Sequence, residues 1–263
     1  MAHIYAIANQ KGGVGKTTTC VNLAASLAAT KKRVLLVDLD PQGNATMGSG
    51  VDKNAVEFSI YDVLMGLTRL ENALHTSPEG HYKILPANGD LTAAEVEMLA
   101  LENREYRLKN ALSEAVDQYD YILIDCPPSL NMLTVNGLSA CTGVLIPMQC
   151  EYYALEGLSA LVNTITTIQQ RLNPHLKIEG LLRTMYDPRN SLTGDVSAQL
   201  HSHFGDRVYR TCVPRNVRLA EAPSFGMPVL AYDKQSKGAM AYIALAGEIL
   251  RRNETNSPEL ATA

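Results

Sequence analysis

The stretch Asn9–Leu23, NQKGGVGKTTTCVNL, decides the fold of this chain. Its central part, KGGVGKTT at residues 11–18, is called the phosphate loop below. The apolar run IYAIA at residues 4–8 precedes it, and residues 17–29 repeat apolar side chains at helical spacing. A glycine-rich turn between a strand and a helix gathers backbone N–H groups and a helix N-terminus around an anion. The stretch therefore predicts a nucleotide-phosphate site at the start of an α/β fold.

The loop departs from the strict pattern G-x-x-x-x-G-K-[ST], because Gln10 stands where that pattern requires its first glycine. Three glycines still allow successive N–H groups to turn towards phosphate oxygens. The Lys16 ammonium suits the β- and γ-phosphates, and the Thr17 hydroxyl suits Mg²⁺. We therefore predict that the loop binds nucleotide through Gly12, Gly13, Val14, Gly15, Lys16, Thr17 and Thr18. Lys11 is a second lysine, although one suffices for the phosphate.

The rest of the chain alternates apolar runs with helical stretches. The runs lie at residues 33–38, 121–125, 144–147, 181–184 and 208–211, and the helical stretches at 92–100, 106–116, 155–172, 196–203 and 238–252. Near-continuous apolar strands are typical of a parallel sheet covered on both faces. We predict an α/β fold with a doubly wound, mostly parallel sheet flanked by helices. Residues 1–252 are expected to form one domain, residues 48–88 an irregular excursion, and residues 253–263 a polar, disordered tail.

Acidic residues end two of the predicted strands. Asp125 closes the run 121–124, where a carboxylate would orient Mg²⁺ through water. Asp38 and Asp40 follow the run 33–37. Because the carboxyl ends of parallel strands meet at one edge, all three are expected beside the phosphate loop. Asp40 lies outside its strand and is the better candidate to orient an attacking water, whereas Asp38 also suits a cap or turn.

Composition narrows the classes of protein. The chain has 263 residues, 46% of them hydrophobic, enough for a large core. Its five cysteines include no C-x-x-C pair, which argues against a disulfide framework, a zinc site or a local iron–sulfur motif. It has neither an 18-residue apolar run nor a signal-peptide pattern. The net charge of −4 is uneven, since residues 181–252 carry ten Lys/Arg against six Asp/Glu.

Five motifs occur in a fixed order: KGGVGKTT, VLLVDLDPQGNAT, YILIDCPPS, QCEYYALEGL and VPRNVRLAEAPS. Together they closely resemble the ParA/Soj family of chromosome- and plasmid-partitioning ATPases. That family belongs to the deviant Walker-A group of P-loop NTPases, with MinD and the nitrogenase iron protein. The first motif would identify only the group, whereas CEYYALEGL and PRNVRLAEAPS narrow it to the partitioning branch. The resemblance extends from Ile4 to Arg252.

The resemblance implies roles for residues of this chain. Lys11 matches the signature lysine, which reaches the partner subunit's phosphates in an ATP-sandwich dimer. Asp40 matches the catalytic carboxylate, and it forms the predicted catalytic set with Lys11 and Lys16. Further matches are Lys16 and Thr17 for phosphate and Mg²⁺, Asp125 for the second switch, Pro214 and Asn216 for the loop that holds adenine, and Arg189 and Arg218 for DNA phosphates.

The resemblance also implies an activity and partners. It implies a slow, Mg²⁺-dependent ATPase that forms a homodimer with ATP and binds double-stranded DNA without sequence preference. Hydrolysis stimulated by a ParB-type centromere-binding protein would release the DNA, in the cytoplasm and on the nucleoid. The basic residues Arg183, Arg215, Lys234, Lys237, Arg251 and Arg252 are further candidates for contacts with the DNA backbone.

Four alternatives remain at this point. A MinD-like membrane-associated ATPase would need an amphipathic C-terminal helix, which RRNETNSPELATA does not provide. An iron–sulfur carrier would need suitably spaced cysteines. A P-loop kinase would need an acceptor-binding motif, and none stands out. A sequence-specific DNA-binding protein would need a helix-turn-helix before the first strand, where we expect none.

Overall fold

The strands form one sheet, in which the first strand lies near the centre. The computed structural model describes residues 2–152 and 154–255. The eight strands are β1 (His3–Ile7), β2 (Val34–Asp38), β3 (His75–Thr76), β4 (Lys83–Leu85), β5 (Tyr121–Asp125), β6 (Gly143–Gln149), β7 (Lys177–Tyr186) and β8 (Val208–Pro214). Their order is β3-β4-β2-β5-β1-β6-β7-β8, and every pairing is parallel except that of β3 with β4. The predicted fold class is confirmed.

Helices cover both faces of the sheet. They are α1 (Lys16–Ala29), α2 (Asn44–Gly48), α3 (Ile60–Met65), α4 (Leu91–Glu97), α5 (Arg107–Ser113), α6 (Met132–Ala140), α7 (Ala154–Arg171), α8 (Ser191–Phe204), α9 (Val217–Glu221), α10 (Val229–Tyr232) and α11 (Lys237–Thr255). Alternate residues of β5 enter two cores: Ile122 and Ile124 join the core under α3–α8, and Leu123 joins that under α1 and α11. Burial on both faces explains why the strands lack polar alternation.

The chain order creates a crevice at the end of β1. From β1 the chain passes through α1 to β2 on one side, whereas β6 lies on the other side of β1. Such a change of direction is a topological switch point, where open α/β sheets bind ligands. The phosphate loop begins at this point. Asp38 and Asp125 pair in register at the ends of β2 and β5, and Ile7 pairs with Asp125.

The segment expected to be an irregular excursion is more ordered than its sequence suggests. It contains α3, β3 and β4, and Ile84 and Leu85 of β4 are fully buried beside β2. A three-residue strand is too short to show periodicity, which explains the miss. Ser59 caps α3 in a capping box with Asp62.

The last helix reaches Thr255, three residues into the segment expected to be a polar tail. Asn253 is buried, accepts a hydrogen bond from the Tyr5 hydroxyl at 3.0 Å, and donates one to the Tyr121 hydroxyl at 3.0 Å. These bonds tie the helix end to β1 and β5. The remaining tail prediction, for residues 256–263, lies outside the described residues.

Candidate functional site

Glycine is required at two positions of the phosphate loop. Gly13 and Gly15 have φ angles of 72° and 87°, in the left-handed region that side chains with a Cβ rarely adopt. Gly15 is also the N-cap of α1, so the first N–H groups of that helix adjoin the loop. A Cβ at Gly12 or Gly13 would meet no atom within 4 Å, so the mouth of the loop is open. The loop has the shape of an anion cradle.

Side chains from neighbouring elements fix the loop from its carbonyl side. Thr184 of β7 donates its hydroxyl to the Val14 carbonyl at 2.8 Å, and the Gln149 amide donates to the Gly13 carbonyl at 3.2 Å. Asn9 accepts the Lys11 N–H at 3.0 Å and donates to the Pro147 carbonyl at 2.8 Å. With these groups engaged, little reorganisation is needed before an anion binds.

The two lysines of the loop occupy different environments. Lys16 is 8% exposed, and its ammonium donates to the Lys11 carbonyl at 3.4 Å. The Lys11 side chain is 43% exposed and forms an ion pair with Glu151 at 2.6 Å. Lys16 therefore lies inside the loop, whereas Lys11 lies on its outer surface.

Asp38 is a buried carboxylate with a structural use. Its Oδ2 accepts hydrogen bonds from the Thr46 N–H at 2.8 Å and hydroxyl at 2.7 Å, and its Oδ1 accepts the Asp40 N–H at 3.2 Å. Burial raises the pKa of Asp38 to about 6, and the Thr46 bonds oppose that rise. Thr46 also accepts the Ala87 N–H at 2.9 Å. Asp38 thus joins β2, α2 and the segment after β4.

Asp125 is buried without such support. Among the residues that the structure describes, none forms a hydrogen bond with either of its carboxylate oxygens. Burial and the neighbouring Asp38 charge raise the pKa of Asp125 to about 8. Thr17 and the Lys16 charge are close enough to oppose this rise, but the Thr17 hydroxyl does not meet hydrogen-bond geometry with the carboxylate. A buried carboxylate beside a threonine hydroxyl is a suitable donor set for Mg²⁺, the metal that Thr17 and Asp125 were expected to hold. The residues fit that ion.

Replacing Asp125 with asparagine should stabilise the nucleotide-free chain at high pH. The folded pKa is about 8 and the ordinary value is 3.8, so the unfolded chain ionises first and stability falls as pH rises between them. An unpaired buried polar group costs on the order of 1–3 kcal/mol, or more when charged. We expect Tm to rise by about 3–10 °C at pH 8 and by less at pH 5, measured by calorimetry.

Asp120→Asn is a matched control, for which we do not expect Tm to rise. Asp120 is hydrogen-bonded and ion-paired with Arg33, which holds the pKa of Asp120 below its usual range. Asp120→Asn should therefore lower Tm slightly or leave it unchanged. A fall in Tm at pH 8 for Asp125→Asn would contradict the raised pKa of Asp125.

Asp40 lies in a tight turn beside the two buried carboxylates. Its Oδ1 accepts the Gln42 N–H at 3.0 Å, and its carbonyl accepts the Gly43 N–H at 2.9 Å. Its charge contributes to the raised pKa of Asp125 and of Asp38, which indicates that the three carboxylates are near one another. One Asp40 oxygen thus fixes the turn and the other can face a substrate.

A cleft connects the phosphate loop with the predicted adenine residues. Its volume is about 170 Å³, and Gly15 and Thr18 line it together with Pro214 and Asn216. Asn216 caps α9 by accepting the Leu219 N–H at 3.2 Å, so its amide oxygen is used within the fold. The remaining lining residues are Thr184, Met185, Val213, Arg215, Leu219, Ala220 and Tyr242. The predicted residues for phosphate and base thus share one cleft.

The two predicted DNA-binding arginines lie on the surface. Arg189 is 87% exposed and pairs with Asp187 at 2.8 Å. Arg218 is 50% exposed and pairs with Glu221 at 2.8 Å and Asp233 at 3.4 Å. DNA phosphates would therefore compete with these carboxylates.

Two further arginine candidates are structural. Arg183 is 7% exposed and donates to the Ser197 hydroxyl at 2.7 Å and the Tyr209 carbonyl at 2.8 Å. Arg252 stacks over the Tyr209 ring at 4.2 Å and pairs with Glu248 at 2.8 Å. Burial and these bonds make the Arg183 guanidinium inaccessible, so our expectation of a DNA contact at Arg183 is wrong. The Arg252 side chain is 22% exposed, and a DNA contact there stays a prediction. A sequence shows charge but not burial.

Other residues of the site were not predicted from the sequence. Glu151 lies in the quoted motif QCEYYALEGL, but nothing in its spacing indicated a contact with Lys11. Thr184 and Thr46 are short polar residues whose importance arises only from tertiary contacts. Within residues 2–152 and 154–255, no cluster of three metal-ligating His, Cys, Asp or Glu side chains occurs, and no helix is long and apolar enough to cross a membrane.

Comparison with known proteins extends these findings. A family model described as an AAA domain matches residues 2–178. The chain is 52% identical over 249 residues to the sporulation initiation inhibitor protein Soj of Bacillus subtilis, covering 95% of this chain and 98% of that protein. It is 50% identical over 258 residues to the chromosome partitioning protein ParA of Myxococcus xanthus, covering 98% and 91%. A solved structure of the Mycobacterium smegmatis cobyrinic acid a,c-diamide synthase with bound ATP analogue and magnesium matches with a TM-score of 0.86, 38% identity and 98% coverage of both chains. The matches to Soj, ParA and the synthase span nearly the whole chain, well beyond the phosphate loop.

Proposed function

The chain belongs to the ParA/Soj family of chromosome-partitioning ATPases, and from that premise we propose that its ATP-bound form is a homodimer that binds double-stranded DNA without sequence preference. A ParB-type centromere-binding protein stimulates hydrolysis, and hydrolysis releases the DNA. The cycle segregates a chromosome or a plasmid in the cytoplasm, on the nucleoid. Residues 1–252, together with the end of α11 up to Thr255, act as a single ATPase domain.

One arrangement supports this proposal most strongly. The phosphate loop, the buried Lys16 and the buried Asp125 carboxyl group, which has no hydrogen-bond partner among the described residues, meet at the adjoining ends of β1 and β5. A cationic cradle beside a buried carboxylate suits a magnesium–nucleotide complex, in which both charges find partners. A purely DNA-binding protein would have no use for such a pair.

The residues of this chain divide the work of hydrolysis. The loop N–H groups and Lys16 hold the β- and γ-phosphates, and the Pro214–Asn216 loop holds adenine. The Thr17 hydroxyl and Asp125, the latter through water, hold Mg²⁺, which when bound neutralises charge on the phosphate oxygens. Asp40 orients the attacking water with the oxygen not used in its turn. We expect an unstimulated rate well below one per second, against a typical enzyme median of ~10 s⁻¹, because the reaction serves as a timer.

Dimerisation accounts for the dependence of DNA binding on ATP. Lys11 contacts the phosphates of the partner subunit, so the nucleotide holds the two subunits together. Arg189 and Arg218 contact the DNA backbone, and a dimer doubles the number of such contacts. Since each neutralised phosphate contributes to a salt-dependent affinity, the dimer binds DNA where the monomer does not.

A gel shift with non-specific duplex DNA tests this function. We expect a shift with a non-hydrolysable ATP analogue, and none with ADP or without nucleotide. The shift should weaken steeply as salt is raised from 50 to 200 mM. Liposomes of anionic lipid form the second arm, because the MinD-like alternative predicts ATP-dependent membrane binding. Equal DNA binding in all nucleotide states, or binding only to liposomes, would contradict the proposal.

A further inference from the structure

The ion pair between Lys11 and Glu151 lies on the open side of the phosphate loop. The ammonium and the Glu151 Oε2 are 2.6 Å apart, and the two side chains are 43% and 51% exposed. Both charged groups thus remain accessible to a partner. Lys11 is the residue that the proposed function assigns to the other subunit's phosphates.

Glu151 is fixed relative to the loop by its backbone. Its N–H donates to the Gln149 carbonyl at 3.0 Å, and its carbonyl accepts the Ala154 N–H, also at 3.0 Å, at the start of α7. Gln149 in turn donates to the Gly13 carbonyl. The segment after β6 therefore fixes the Glu151 backbone beside the loop. Among the described residues, the hydrogen-bond partner of the Glu151 side chain is Lys11.

The same ammonium cannot bind Glu151 and a partner phosphate at full strength simultaneously. From this competition, which rests on the proposed function, we propose that Glu151 is a positioning residue that holds Lys11 within its own subunit. ATP-driven dimerisation must then exchange the Glu151 carboxylate for the partner's phosphates. A nucleotide with fewer phosphate charges competes less well for Lys11, so Glu151 sharpens the distinction between ATP and ADP.

The size of the effect follows from the exposure of the pair. Exposed ion pairs are weak, and each dimer must break two of them. Removing the carboxylate should therefore strengthen ATP-dependent dimerisation by about 3- to 30-fold overall. The effect should be absent from nucleotide binding by the monomer, because Lys11 does not hold the nucleotide of its own subunit.

Glu151→Gln tests the proposal, since it removes the charge and leaves the backbone contacts intact. The dimer dissociation constant is measured by analytical ultracentrifugation with a non-hydrolysable ATP analogue and with ADP. We expect tighter dimerisation with the analogue, a measurable dimer fraction with ADP, and unchanged nucleotide affinity at protein concentrations that keep the chain monomeric. Unchanged or weaker dimerisation would overturn the proposal.

Three further variants identify the cause. Glu156→Gln makes the same charge change on the exposed first turn of α7 and should not alter dimerisation. Glu151→Asp should restore the wild-type constant, at least in part. A double variant, Lys11→Ala with Glu151→Gln, should remain monomeric. If the double variant dimerises, Glu151 acts by repelling phosphates directly, and its role through Lys11 is refuted.

The unaltered chain separates this inference from the proposed function. If it forms no nucleotide-dependent dimer, both fail together. If it dimerises with ATP and Glu151→Gln behaves identically, only the inference fails.

Discussion

Replacing Lys16 with alanine should weaken ATP binding by about 100-fold or more. The Lys16 ammonium is almost completely buried in the loop, where its charge is poorly screened by solvent. Its only hydrogen-bond acceptor among the described residues is the Lys11 carbonyl at 3.4 Å, a long contact that a phosphate can displace. Isothermal titration with ATP and Mg²⁺ measures the loss.

The Lys16 variant needs a control for folding and one for charge. The circular dichroism of the nucleotide-free variant should match that of the unaltered chain, because the loop is held by Thr184 and Gln149 rather than by Lys16. Lys53→Ala removes a lysine that donates to the Gln42 carbonyl at 2.6 Å, on an exposed segment. Its ATP affinity should be unchanged. Retention of tight ATP binding by Lys16→Ala would refute the phosphate-binding role.

The sequence predicted the central sheet because its strands are buried on both faces. The strands β1, β2, β5 and β6 read as continuous apolar runs, and β7 and β8 were found from shorter ones. The short strands β3 and β4 have too few residues for such a signal. Helix α6 was also missed, because apolar and polar residues alike are buried in it, including Leu133, Asn136 and Leu138. A helix buried on several sides lacks the amphipathic stripe on which the prediction depends.

Some residues of the candidate site could likewise be predicted from the sequence, and others could not. Loop residues and strand-end carboxylates could be found from local patterns, since glycines and acids at strand ends have direct structural meanings. The different uses of Asp38 and Asp125 could not, because they depend on whether Thr46 reaches the carboxylate. Arg183 was misjudged for the same reason: its partners on α8 and β8 are distant in sequence. Tertiary contacts decide which charges remain available for function.

The structure fixes the backbone position of Lys11, the second lysine of the loop. Asn9 and Lys11 form the outer edge of the loop, with the Asn9 side chain bonded to the Lys11 N–H and the Pro147 carbonyl. This edge fixes the backbone of Lys11 while its side chain extends to the surface. An additional lysine at this place is suited to a neighbour outside the subunit, because Lys16 already occupies the interior.

Lys11→Ala should leave ATP binding by the monomer within about threefold of its original value while abolishing ATP-dependent dimerisation and ParB-stimulated hydrolysis. The reason is that Lys11 lies outside the cradle and that its present contact, with Glu151, is an exposed ion pair worth at most about 1 kcal/mol. Nucleotide affinity must be measured at low protein concentration, because dimerisation would otherwise raise the apparent affinity by mass action.

The measurements for Lys11→Ala separate binding from assembly. Titration of a fluorescent ATP analogue reports binding, and ultracentrifugation with a non-hydrolysable analogue reports the dimer. Lys16→Ala should lose both signals, whereas Lys11→Ala should lose only the second. Because each subunit of the proposed dimer requires the lysine of the other, mixing Lys11→Ala with the unaltered chain should also reduce stimulated hydrolysis of the latter. If Lys11→Ala dimerises and hydrolyses ATP normally, the second lysine is a surface charge neutralised by Glu151.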